Sequence, residues 1–149
     1  MTLTTDLGEL EKLRQALPAG AERSSEALLG AARDALGDGR LEVAEQLIQA
    51  AILLGPEHAP TWALAGRIED ELGDLGGAEA AYRRAIALDR DEHSTLRLAR
   101  LLSSIGRWEE AHDLATHLAR DAKDRSVQEA AAVLLGQIGT RRGGAPWAQ

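Results

Sequence analysis

Apolar side chains recur at three- and four-residue steps along most of this chain, the period of an α-helix with one buried face. Leu3, Leu7, Leu10, Leu13 and Leu17 form the first such stripe, opposite a face carrying Glu9, Glu11, Lys12 and Arg14. The stripe predicts a leading helix from about Asp6 to Leu17, with Asp6 and Glu9 spaced as a capping box and Pro18-Ala19-Gly20 as its stop. Helix pairs are then predicted over Ser25–Leu36 and Leu41–Leu54, Pro60–Leu72 and Gly77–Leu88, and Ser94–Ile105 and Trp108–Arg120. Pro60 suits a first helical turn, where its missing N–H has no partner to lose. A last helix is expected over Val127–Ile138, with Ser126 and Glu129 as a capping box, and Ile138-Gly139-Thr140-Arg141 then echoes a turn.

The pairs repeat one another. Gly39, Gly73 and Gly106 fall at expected turns and are evenly spaced to within one residue. Five residues after each comes an alanine (Ala44, Ala78, Ala111), and two residues after each a large apolar side chain (Leu41, Leu75, Trp108). Seven residues before each lies a small residue, Ala32, Gly66 or Ala99, which lets two helices approach to the near end of the usual spacing of about 8–10 Å. Agreement of these slots over successive units is a far more specific signal than any single motif.

The clearest unit, Ala59 to Glu92, resembles the tetratricopeptide repeat (TPR), a helix–turn–helix unit of about 34 residues. Trp62, Ala65 and Gly66 stand where that family has Trp, Leu and Gly, and Ala78 with Tyr82 gives its alanine–aromatic pair. Pro56 fills the terminal proline slot of the first unit, whereas Glu69 replaces an aromatic and Arg90 a proline in the second. The resemblance implies an all-α, right-handed α-solenoid of about three units, with an amphipathic helix in front and a capping helix behind. Its expected organisation is a leading helix at 1–20 and a repeat domain at 21–142, followed by a tail at 143–149 without fixed structure. Within the domain the repeats are expected at about 25–58, 59–91 and 92–124, and the capping helix at 126–139. Arrays of this kind bind other proteins, with the first helix of each pair lining a concave groove.

Six residues ahead of each turn glycine this chain places an arginine: Arg33, Arg67 and Arg100, with Arg97 one turn earlier. The family resemblance puts that slot on the groove, beside Leu29, Leu36, Ala63, Leu64 and Leu96. Guanidinium groups capture carboxylates in planar, bidentate fashion, so the implied partner is an extended peptide segment with acidic and apolar residues. The alternative is internal pairing: Asp70 and Glu71 stand at i+3 and i+4 from Arg67, where a local ion pair is worth about 0.3–0.5 kcal/mol. The groove could also be filled by the last helix or by the tail with Trp147. The carboxylate-clamp subtype of the family, built on lysines and asparagines, is not expected, since the chain has no asparagine and Glu26 stands at the first lysine's slot.

Composition narrows the function further. The net charge is −7, which opposes nucleic-acid binding. No run approaches the roughly 18 apolar residues of a membrane span, and the opening MTLTTDLGELEKL is acidic where a secretory signal is basic and then apolar. A cytoplasmic protein is therefore expected. With no cysteine there is neither a disulfide framework nor thiolate chemistry. His112 and His117 are five apart, about 140° out of alignment on a helix, so they do not form a metal pair. No nucleophile, phosphate-cradle or zinc-protease motif occurs, so neither enzyme activity nor a cofactor is expected.

A leading helix followed by about three such repeats also looks like the type III secretion chaperones that guard translocator subunits. Leu41-Glu42-Val43-Ala44-Glu45-Gln46-Leu47-Ile48-Gln49-Ala50-Ala51-Ile52-Leu53-Leu54 resembles their first full repeat in spacing. That resemblance implies an extended client segment in the groove and dimers supported by the leading helix. The leucine stripe itself allows either packing on the nearest helix pair in a monomer or a homodimer seam.

Overall fold

A computed structural model describes residues 25–143, and among these the secondary structure is entirely helical. The helices are α1 (Ser25–Gly37), α2 (Leu41–Leu54), α3 (Ala59–Leu72), α4 (Leu75–Asp89), α5 (Glu92–Ser104), α6 (Trp108–Asp121) and α7 (Arg125–Gly143). The leucine-striped leading helix with its Asp6/Glu9 capping box, and the Trp147 segment, lie outside the described residues.

Three turns are built alike because their glycines allow it. Gly39, Gly73 and Gly106 take φ of 74°, 84° and 83°, a left-handed conformation that costs a glycine nothing. Each then closes its helix with the same pair of bonds. The residue after the glycine donates to the carbonyl five back (Arg40 to Ala35, Asp74 to Glu69, Arg107 to Leu102, at 2.8–2.9 Å), and the glycine itself donates three back. This is the Schellman pattern, which satisfies carbonyls that the helix end leaves open. The alanine five residues on, Ala44, Ala78 or Ala111, is fully buried in each hairpin.

The chain forms two compact units, dividing between Asp89 and Arg90. In the first, α1 pairs with α2 and α3 with α4, while α3 also packs on α1 and α2. Its core is aliphatic and small: Leu28, Ala32, Ile48, Leu64, Ala65 and Ile68 are all essentially inaccessible. Helices α3 and α4 come very close at Gly66, where an added Cβ would lie 2.4 Å from Cε1 of the fully buried Tyr82. The Trp62 indole N–H donates to the Pro56 carbonyl at 2.7 Å, tying α3 to the loop before it. In the second unit α5 pairs with α6, and α7 packs on both. Leu98, Leu102, Ala111, Ala115, Ala131 and Ile138 fill its interior.

Three local expectations are corrected. Helix α4 starts at Leu75 rather than Gly77, because the Asp74 carboxylate accepts the Gly77 N–H at 3.0 Å and caps the helix early. Helix α7 does not turn at Gly139 but runs on to Gly143. Two residues past Gly139 stands Arg141, where the true turns have Leu41, Leu75 or Trp108, and Gly139 does not take the positive φ of the three turn glycines. Finally, Ser126 and Glu129 do not form a capping box. Asp124 accepts the Ser126 N–H at 2.8 Å, and Glu129 pairs instead with Arg125 at 3.0 Å.

Arg90, in the slot where the repeat family has proline, takes φ of 47°. The proline ring fixes φ at a negative value and cannot enter that region, so the departure matches the local backbone.

Candidate peptide-binding surface

The first helices of the hairpins, α1, α3 and α5, carry Arg33, Arg67, Arg97 and Arg100. Arg33, Arg97 and Arg100 are exposed and Arg67 is half-buried. None of these four guanidinium groups has a hydrogen bond or ion pair among the described residues. The Arg67 pair with Asp70 or Glu71 that the spacing allowed is therefore not formed. Among the other described arginines, Arg83, Arg107, Arg120 and Arg125 meet carboxylates within 2.7–3.3 Å. Arg84 on α4, Arg40 and Arg90 in the connections and Arg141 on α7 are exposed and, like the first-helix four, form no ion pair among the described residues.

The apolar half of the expected site is corrected. Leu29, Leu64 and Leu96 are only 6 %, 3 % and 6 % exposed, so they hold the helices together and offer no surface to a ligand. Leu36 and Ala63 are half-buried. The slots beside the arginines are thus mostly core slots, because a first helix also has to bury the side that meets its own second helix and its neighbour. On α5 the result is extreme. His93, Arg97, Arg100 and Ser104, at i, i+4, i+7 and i+11, form one exposed stripe on a helix otherwise mostly buried.

Two features were not anticipated. Glu92 accepts the backbone N–H groups of Lys123 (2.7 Å) and Asp124 (3.1 Å), and those bonds hold its carboxyl below the usual range. Asp124 in turn lies 3.2 Å from His93, so the start of α5 grips the loop before α7. The second feature is a buried acid group between α2 and α3. Glu69 is 0 % exposed and both its oxygens lack a donor among the described residues. Burial first, then the Glu45 and Asp74 carboxylates, push the Glu69 carboxyl up to about 7. Glu45, also buried, is raised mainly by desolvation, with Asp74 and Glu42 adding to it. A protonated Glu69 can donate to one of these carboxylates, which an ionised one cannot. The signal for this group was in the sequence, in a glutamate occupying an aromatic slot of the repeat.

Among the described residues no cluster of three or more His, Cys, Asp or Glu side chains could hold a metal ion, and no helix is long and apolar enough to cross a membrane. A hollow of about 460 Å³ beside the first turn is lined by Gly39, Arg40, Leu41, Glu42, Val43 and Leu72, with no histidine, hydroxyl or thiol.

Successive hairpins with one turn geometry, one close-approach slot and one arginine slot define a helical repeat protein. The chain is a tetratricopeptide repeat protein: it is 30 % identical to a thermophilic TPR protein of Thermus thermophilus, over 85 % of this chain and 71 % of that one, with a TM-score of 0.62. The fold is also that of the Yersinia enterocolitica type III secretion chaperone SycD, solved with a peptide of the translocator YopD. There the identity is 18 %, with 78 % of this chain and 93 % of that one covered and a TM-score of 0.70. PcrH, solved with the chaperone-binding region of PopD, is similar too, at 18 % identity over 85 % of this chain and 98 % of that one, TM-score 0.72. No protein-family model and no curated protein sequence matches the chain.

Proposed function

We propose that this protein is a non-enzymatic interaction module of the cytoplasm that holds an extended segment of a partner protein against its first helices. The observation that carries this is the recurrence of an unpartnered guanidinium group at one first-helix slot, Arg33 and Arg67 in the first unit and Arg100 in the second, where Arg97 stands one turn earlier, in a chain of net charge −7. An acidic protein has abundant carboxylates with which to neutralise these arginines, yet it leaves them open. Their natural counter-charge is then a partner's Asp or Glu, and apolar residues of the same segment can rest on the half-buried Leu36 and Ala63. Replacing Arg33, Arg67, Arg97 and Arg100 together by Glu should abolish affinity capture of the partner from source cells, with helicity and melting unchanged. Capture that survives the replacement would contradict the reading.

A second, narrower reading is a chaperone of a secreted client, favoured by the SycD and PcrH structures, whose bound peptides come from YopD and PopD. Secretion or translocator components encoded beside this gene would support it, and their absence would count against it. A monomer at high concentration in sedimentation would exclude a dimer formed through the leading helix.

A further inference from the structure

The second unit offers more than charge. Helix α7 lies against α5 and begins one repeat length after it, at Arg125 where α5 begins at Glu92, so each α5 position has a counterpart on α7. The counterparts of Arg97 and Arg100 are Ala130 and Val133. Val133 is 62 % exposed, the most open large apolar side chain among the described residues. A cationic rung on α5 therefore stands beside an uncharged, apolar rung on α7. His93 does not add to the cationic rung, because its Nε2 is turned to Asp124 at 3.2 Å. Arg97 and Arg100 remain as the open cations of α5.

We propose that this pair of rungs reads a specific spacing in the bound segment: an Asp or Glu three residues from an apolar side chain. This rests on the peptide-binding reading above and deepens it. Neighbouring helices lie about 8–10 Å apart. A peptide in the extended polyproline II conformation advances about 3.1 Å per residue and returns to the same face every third residue, so a side chain three positions on reaches the next helix from the same side of the peptide. The carboxylate meets Arg100, with Arg97 one turn away to share the charge, and the apolar side chain covers Val133. The occupant is a segment of another protein, chosen by charge complementarity with an acidic chain's unpaired guanidinium groups. Burying Val133 removes an exposed apolar surface that the fold itself leaves uncovered.

The test is selection of peptides from a random 12-residue display library on the full-length protein, followed by fluorescence anisotropy of the selected sequences. Enriched peptides should carry an acidic residue three positions from Leu, Ile, Val, Met or Phe, in either order. R100E should weaken a selected peptide by about tenfold or more, the scale of one lost charge-assisted contact. On R100E, a peptide with Lys in place of its acid should regain binding. V133N, which leaves α5 untouched, should weaken the peptide several-fold, and a version with the acid and apolar residues six apart should bind no better than a scramble. Enriched peptides without the spacing, or binding indifferent to both R100E and V133N, would overturn the inference while leaving peptide binding intact. No enrichment of any peptide would overturn both.

Discussion

Gly66 sets how closely α3 and α4 approach, and its role can be measured. A methyl group there would sit 2.4 Å from the Tyr82 ring, which is fully buried and has no space to retreat into. Gly66→Ala should therefore destabilise the protein by about 1–3 kcal/mol, the usual cost of overpacking, rather than stabilise a helix as Ala for Gly normally does. Chemical denaturation checks this; an unchanged or raised midpoint would mean the helices are not in contact at that point. Glu69 makes a different prediction. Its folded pKa of about 7 lies above the unfolded value of 4.5. The stability it contributes is thus fully present below about pH 4.5 and lost as pH rises through 7, a swing of about 3 kcal/mol. Glu69→Gln keeps the shape and removes the titration, so the stability difference between variant and parent should grow in the variant's favour from pH 4.5 to 8. Parallel pH profiles for the two would show that Glu69 does not titrate in that window.

Elements differ in how plainly the sequence announced them. The turns were legible because only glycine adopts φ of about 80° without strain, so their spacing had to be written into the chain at Gly39, Gly73 and Gly106. Small residues at Ala32, Gly66 and Ala99 were legible for a like reason, close packing being intolerant of volume. The end of α7 was not. Gly139 looks like a turn glycine, yet it keeps a helical backbone, since glycine permits a left-handed turn without requiring one. Groove leucines were misplaced because helical periodicity marks a residue as apolar-facing without saying whether that face meets protein or solvent. Leu29, Leu64 and Leu96 proved to be core, while the four arginines stayed exposed or half-buried. The α7 correction has its own test. Gly139→Ala, inside a continuous helix, should stabilise by about 0.5–1 kcal/mol, whereas Gly106→Ala, at φ of 83°, should destabilise by at least about 1 kcal/mol. The same sign for both substitutions would mean Gly139 is a turn after all.

At the scale of the whole molecule, the surplus of carboxylates and the open arginines belong together. Net charge of −7 repels acidic partners in general, so the proposed acidic segment would be held only where guanidinium groups stand clear of local acids. Binding of this sort should weaken as salt rises, because the contacts are exposed and screened over about 8 Å at physiological ionic strength. Identical affinity at low and high salt would point to an apolar contact instead. The most direct measurement of where the partner lies is site-specific photo-crosslinking on the intact chain. A photoreactive side chain is placed in turn at Arg33, Arg67 or Arg100 on first helices, and at Arg83 or Glu109 on second helices. The captured segment should attach from the first-helix positions and from neither second-helix position. Attachment from Arg83 or Glu109 alone would place the binding surface on the second helices and contradict the proposed one.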